Sequence, residues 1–186
     1  EEIPSDKQTI CVSRMFGAQT DKKQDLSEAL ASYVLIAAEK LRKQRGRAGG
    51  IQVFTYTSRY HDPHAFYASA YRELTVPSSY NGDLIAAALT CLDHLYEPQK
   101  MYKKVGVLLT DLLYDDQMQL SMMEPFVAAR SAKKDELMMV VDKANRQWGR
   151  GTVSAAAAGK QQAWQMRQTR KSARYTTSWH ELLALE

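Results

Sequence analysis

The sequence predicts an α+β fold: a four-stranded sheet laid down in the order β-α-β-β-α-β, two helices on one face, and a short helical, basic C-terminal region. Three observations predict it. Two stretches repeat apolar residues at helical spacing, and four others are rich in β-branched and aromatic residues and bounded by turn formers. Acidic residues then disappear between Lys143 and His180, where the apolar spacing also becomes sparse.

Residues 1–8 are polar, contain Pro4 and read as a linker stub. Thr9 to Phe16 (TICVSRMF) is a strand with Ile10 and Val12 on one face, Cys11, Ser13 and Met15 on the other, and Gly17 as its end. Asp25 is the expected N-cap of the first helix, with Glu28 completing a capping box. Leu26, Leu30, Tyr33, Val34, Ala37 and Leu41 then form one apolar stripe. A cationic last turn follows, and Gly46 is the expected helix stop. Gly49-Gly50 leads into the strand IQVFTYTSR, the loop HDPH and the strand FYASAYRELTV, which Pro77 ends. Asn81-Gly-Asp83 opens a second helix with Leu84, Ile85, Ala88, Leu89, Leu92, Leu95 and Tyr96 on one face, closed by Pro98. The chain is organised around Tyr102 to Met123, whose apolar run Val105 to Leu113 supplies the last strand. The element order is ferredoxin-like.

Both helices on one face leave the other sheet face open. Its expected occupants are Ser13, Ser58, Tyr67, Tyr71 and, according to register, Tyr56 or Thr57. Residues 9–116 therefore read as one domain, 117–132 as a linker, and 133–186 as a basic region. In that region Lys133 to Trp148 makes an amphipathic helix with Leu137, Val140, Val141, Ala144 and Trp148 aligned. The net charge of +4 is lopsided: −1 over residues 1–118 and +5 over 119–186. A basic block of this kind suits a polyanionic partner or a solvated tail. Cys11 and Cys91 sit in apolar segments and read as buried thiols of a reducing compartment. No run approaches the roughly 18 to 20 apolar residues of a membrane span, so no membrane partner is expected. The chain begins EEIPSDKQ, without a methionine, and is expected to be a piece of something longer.

Several blocks together resemble the C-terminal part of a Y-family translesion DNA polymerase of the UmuC type: CVSRMFG, ASYVLIAAEKLR, IQVFTYTS, YKKVGVLLTDL, LMMVVDKANRQWGRGTV and WQMRQTRKSARYTTSWHELL. They follow the family's order over almost the whole chain. The resemblance implies the little finger domain followed by the family's C-terminal segment. The palm, with its metal-binding carboxylates, lies upstream in such proteins, so this chain alone should not polymerise. The parent would use magnesium, and this chain no cofactor.

The resemblance also implies partners: primer–template DNA, the bacterial sliding clamp, a UmuD′ dimer and RecA, in the cytoplasm at the nucleoid during the SOS response. The little finger lays its open face on DNA and holds mostly phosphates, which needs amides, hydroxyls and cations. Ser13 and Arg14, then Thr57, Ser58 and Arg59, then Lys103 and Lys104 are the implied contacts. Gln119, Leu120, Ser121, Met122 and Met123 lie where the family carries a clamp-binding peptide, Gln-Leu-x-Leu-Phe. Met122 and Met123 replace its leucine and phenylalanine, and methionine fills an apolar cleft adaptably.

Other constellations point elsewhere. Asp111, Asp115 and Asp116 read as turn and capping residues rather than a two-metal site, and His61 and His64 have no third ligand at matching spacing. Gly149-Arg150-Gly151 is too short for a phosphate loop. Trp148, Trp164 and Trp179, interleaved with Arg150, Arg167 and Arg170, either stack on bases or a partner, or anchor the tail. A protein-interaction arm with little DNA contact is the competing reading. An enzyme on this sheet is a third, against which no nucleophile, base and orienting group assemble.

Overall fold

The computed structural model describes residues 8–57, 67–114, 125–160, 164–166, 172–173 and 175. The elements are β1 (Ile10–Thr20), α1 (Lys23–Lys43), β2 (Gly46–Thr57), β3 (Tyr67–Ser78), α2 (Asn81–Leu95), β4 (Tyr102–Tyr114) and α3 (Pro125–Trp148), then one 3-10 turn at Ala156–Ala158. The sheet order is β1-β4-β2-β3, and every neighbouring pair is antiparallel. Strands β1 and β2 are therefore parallel with β4 between them, and β3 and β4 are parallel with β2 between them. The two βαβ halves interleave. The inner places go to β2 and β4, whose Ile51, Val53, Val105, Val107 and Leu109 are fully buried, while most of β3 is exposed.

Cross-strand rows define the two faces. Ile10, Leu109, Ile51 and Arg72 form one row, and Val12, Val107, Val53 and Ala70 the next. These rows lie under α1 and α2, whose Leu26, Leu30, Val34, Leu41, Leu84 and Leu92 are fully buried against them. Burying each of these leucines contributes about 2 kcal/mol.

Helix boundaries depart from the sequence reading in an informative way. Asp25 is not the N-cap of α1; Lys22 is, with no side-chain cap. Thr20 does the work instead: its Oγ1 accepts from the Lys22 amide at 3.1 Å and donates to Asp25 Oδ2 at 2.6 Å. The second half repeats the device, with Ser78 Oγ accepting from the Tyr80 amide at 3.1 Å and donating to Asp83 Oδ2 at 2.8 Å. In each half a strand-end hydroxyl and a first-turn carboxylate set the βα corner, and the carboxylate sits at the positive helix end.

Strand β1 runs on through Gly17, and β2 starts already at Gly46. The left-handed residue after α1 is Arg45, at φ 53°, rather than Gly46. Gly46 is needed for space: a Cβ there would stand 2.8 Å from Leu41 Cδ1 and 3.1 Å from Tyr114 Cε1. Cys91 is buried as expected, and burial pushes its thiol pKa up, but Cys11 is exposed.

The basic helix is longer than the sequence reading. It starts at Pro125, and three ion pairs flank the buried Met138 on its inner side: Asp142 pairs with Arg42, Asp135 with Arg47, and Lys134 with Asp83. Beyond it, Trp164 folds back onto the domain, its carbonyl accepting from the Gly17 amide at 3.1 Å. The indole packs edge-on against Phe16 (6.4 Å) and Tyr33 (5.7 Å) and is 6% exposed. For Trp164, the anchoring alternative holds. Trp148 is exposed, and Trp179 lies outside the described residues.

Tyr33 carries a cost of this packing. Its hydroxyl is buried with no hydrogen-bond partner, and burial pushes its pKa from 10.0 to about 12 against the lowering field of Arg14. The folded state therefore keeps a proton that the unfolded chain loses above about pH 10. Stability from this group is complete below pH 10 and is lost as pH rises from 10 towards about 12. Tyr33→Phe should gain about 1 kcal/mol at neutral pH by removing an unsatisfied hydroxyl. Its advantage in chemical denaturation should widen between pH 10 and 12. A variant less stable than the parent would show that the hydroxyl is bonded.

Candidate nucleic-acid interface

The uncovered sheet face is built from the alternate rows. One row carries Cys11, Leu108, Gln52 and Tyr71; the next, Ser13, Gly106, Phe54 and Ser69; the third, Met15, Lys104, Tyr56 and Tyr67. Met15, Tyr56, Tyr67 and Tyr71 are between 40% and 55% exposed, so this face is open to solvent.

Its centre is aromatic. The Phe54 ring lies across Gly106, where a Cβ would meet Phe54 Cζ at 2.3 Å and Ser13 Cβ at 2.5 Å. Glycine in the middle of β4 thus lets a neighbouring strand's ring cover the backbone. Phe54 meets Tyr56 edge-on at 6.2 Å, and Tyr56 meets Tyr67 at 4.7 Å. Lys104 Nζ stands 5.7 Å from the Phe54 ring centre and 5.6 Å from that of Tyr56. The rings hold the ammonium by cation–π attraction and fix it on the open face.

A polar cluster closes one end of this face. Tyr71 donates to Asp111 Oδ2 at 2.9 Å, and Thr110 Oγ1 donates to the same oxygen at 3.0 Å. Holding its proton against that carboxylate raises the Tyr71 pKa. Asp111 is left-handed at φ 51°, which turns its carboxylate toward Tyr71, and Gly50 makes the room. A Cβ at Gly50 would fall within 2.7 Å of Tyr71, Thr110 and Asp111 alike. Asp111 is thus a hydrogen-bond acceptor within β4 rather than a turn residue, and Asp115 and Asp116 lie outside the described residues. No group of three or more metal-ligating side chains occurs among the described residues.

The structure sorts the implied phosphate contacts. Ser13 and Lys104 stand in the open rows. Arg14 does not: strand alternation puts it in the row of Val105 and Thr55, on the helix side. There it is exposed at the sheet rim and lines, with Tyr33, Asn145 and Trp164, a cleft of about 650 Å³ between α1, α3 and the tail. Thr57 is 8% exposed and is no surface hydroxyl. Between Tyr56 and Thr57, β2 advances one residue while β4 advances two, from Lys104 to Tyr102, so Lys103 is the extra residue of a bulge. The bulge turns Tyr102 inward, where it is fully buried opposite Thr57, which β2's own alternation has already turned inward. Ser58, Arg59 and the peptide Gln119 to Met123 lie outside the described residues, as do His61 and His64.

Phe54, Gln52 and the Tyr71–Asp111 pair were not singled out by sequence reasoning as part of one site. The available signal was parity: once Ile51 and Val53 are core, Gln52, Phe54 and Tyr56 must point the other way. Gly149 and Gly151, at φ 104° and 88°, merely end α3, and Arg150 beside them pairs with Glu39 at 3.5 Å.

Comparison with known proteins agrees with the sequence resemblance. Residues 7–122 match the impB/mucB/samB family C-terminal domain, and residues 135–184 match a domain of unknown function, DUF4113. The chain is 34% identical over 187 residues to protein UmuC of Salmonella typhimurium, covering 100% of this chain and 44% of that protein. It is 34% identical over 183 residues to protein MucB of Escherichia coli, covering 98% and 42%. The chain thus spans less than half the length of these relatives. A solved complex of beta-clamp processivity factor and little finger domain of PolIV aligns with 62% of this chain and 99% of its own, at 14% identity and a TM-score of 0.44. With the family's C-terminal domain matched from residue 7 to 122 and the relatives aligned over the rest, the chain belongs to the impB/mucB/samB family as a UmuC-type C-terminal region.

Proposed function

We propose that this chain is the DNA-holding and clamp-tethering module of an error-prone Y-family polymerase acting in translesion synthesis and SOS repair. The observation that carries the reading is the solvent-open face with Ser13 and Lys104 set among Phe54, Tyr56 and Tyr67, on a chain of this family. Ser13 and Lys104 hold phosphates there, Ser58 and Arg59 extend the contact beyond β2, and the chemistry is sequence-independent. Gln119 to Met123 tethers the module to the sliding clamp. Two weak attachments raise the effective concentration of the upstream active site, with its magnesium ions, at the primer end. UmuD′ and RecA are further partners of the whole polymerase in the bacterial cytoplasm.

The test is a titration against a bacterial sliding clamp, beside a Gln119→Ala, Met122→Ala, Met123→Ala variant. Saturable binding that the variant loses is expected. Equal binding by both, or none by either, sinks the tether. A second arm titrates primer–template DNA at rising salt, where Lys104→Glu should lower affinity and flatten the salt slope.

The competing interaction-arm reading has one observation behind it. Among the described residues the three open rows carry one cation, Lys104, and the opposite end of the face carries Glu73 and Asp111, which is little charge for a phosphate grip. Affinity for a partner protein that is indifferent to salt, without DNA binding, would favour that reading.

A further inference from the structure

Two shallow clefts of about 340 and 360 Å³ adjoin where α1 ends and α3 crosses it, on the helix side of the sheet, and they share Lys43, Asp142 and Arg146. Six of the charged side chains lining them are cations and three are carboxylates, so the corner is strongly basic. The carboxylates are already committed. Asp142 is held by Arg42 and Asp135 by Arg47, while Glu39 meets Lys43 at 2.8 Å and Arg150 at 3.5 Å. Arg45 and Arg146 are exposed, and their side chains have no ion pair or hydrogen bond among the described residues. Lys40 and Lys143, one turn before Lys43 and Arg146, are exposed beside them. Glu136, a turn before Met139, offsets one of these charges at the rim. Arg45 stands left-handed at φ 53°, where glycine would be free of strain. Among the described residues no aromatic ring lines either cleft, whereas the open face is built around Phe54, Tyr56 and Tyr67. Cations without rings neutralise phosphates but give bases nothing to stack on.

We propose that this corner is a second nucleic-acid contact, which takes the phosphate backbone of duplex DNA on the side of the domain turned away from the open sheet face. The choice of DNA over an acidic protein rests on the polymerase reading above. Arg45 and Arg146 each donate charge-assisted hydrogen bonds to a phosphate, with Lys40, Lys43 and Lys143 adding field around them. The grip is independent of sequence. Faces on opposite sides of one domain cannot seat the same straight duplex, so the stretch held here is a different one from that on the sheet.

Fluorescence anisotropy of a labelled blunt duplex with the full chain tests this over a range of salt concentrations, comparing the parent with an Arg45→Gly, Arg146→Gln variant. Neither side chain makes a contact that the described fold uses, and glycine relieves the strain at residue 45, so the variant should keep the parent's melting temperature. Its affinity should fall about tenfold and its salt slope by about two, one for each lost phosphate. Lys104→Glu on the open face should weaken binding independently, so that the two effects multiply. Parent-like affinity and slope in the corner variant, with Lys104→Glu weakened, overturns the proposal and leaves the open-face reading standing. Loss in the corner variant alone supports the proposal and sinks the open face as a phosphate grip. No duplex binding by the parent overturns the proposal. So does tighter binding of poly-glutamate of equal charge than of the duplex, because the partner would then be an acidic protein.

Discussion

Arg42→Ala should destabilise the docked state of α3 by about 3–5 kcal/mol, the range for breaking a desolvated ion pair by removing one partner. The guanidinium is 12% exposed and satisfies acceptors on α3, on α2 and in the turn between β3 and α2. Nε and one Nη donate to the two oxygens of Asp142 at 2.7 Å each, a bidentate pair to α3. The other Nη donates to the Ser79 carbonyl and to Asn81 Oδ1 at 2.8 Å each, at the corner where β3 gives way to α2. Truncation leaves a carboxylate 20% exposed without its partner, and two further acceptors without a donor. By contrast, the exposed Lys23–Asp93 pair, with side chains 48% and 59% exposed, should contribute less than about 1 kcal/mol.

Two readouts separate loss of docking from loss of fold. Limited proteolysis should cut within α3 in the variant under conditions where the sheet domain, followed by circular dichroism, stays intact. Arg42→Lys should not restore resistance, because an ammonium lacks the planar fork. A double-mutant cycle with Asp142→Ala should show coupling of more than about 1 kcal/mol. Additive effects would mean that Arg42 acts only on the Ser79–Asn81 corner.

Trp164→Ala should be the second large effect, about 3 kcal/mol against the folded-back tail. The indole fills the space between Phe16 and Tyr33, and its backbone carbonyl pairs with Gly17 on the outer side of the edge strand β1. The tail can leave without unfolding the sheet, so the effect should appear as local opening rather than as a large shift in melting temperature. The Gly17 amide reports it directly. Its exchange should accelerate about 100-fold in the variant, the rate equivalent of that energy, while amides of Val105 and Val107 hold. Trp164→Phe should retain most of the protection. Unchanged Gly17 exchange in Trp164→Ala would show that the indole is not what holds the tail.

What the sequence by itself determined is what local periodicity can encode. The stripe Leu26, Leu30, Tyr33, Val34, Ala37 and Leu41 is buried at every position. The four strands occur where β-branched and aromatic residues concentrate. The order of elements, the open face and the presence of Ser13, Tyr56, Tyr67 and Tyr71 on it follow from the same alternation. The family resemblance, too, was legible before any coordinates.

Tertiary structure decided everything that depends on a neighbour. Ser13 and Arg14 were paired as contacts by the family resemblance, and the pairing of Arg14 with Val105 puts it on the helix side, away from Ser13. Tyr56 and Thr57 were equal candidates until the burial of Ile51, Val53 and Thr55 fixed the parity of β2 and put Thr57 inside. The strand order β1-β4-β2-β3 is set by which strands can bury both edges, a competition no single strand's sequence records. In α3 the helix was legible but the side that meets the domain was not: Leu137, Val140 and Trp148 of the aligned residues are exposed, while Val141 lines the cleft. Arg42, Arg47 and Asp83 already waited on the domain, and three charge pairs drew the polar side inward. A periodic stripe specifies that a helix has two sides; only the surface it meets decides which one is buried.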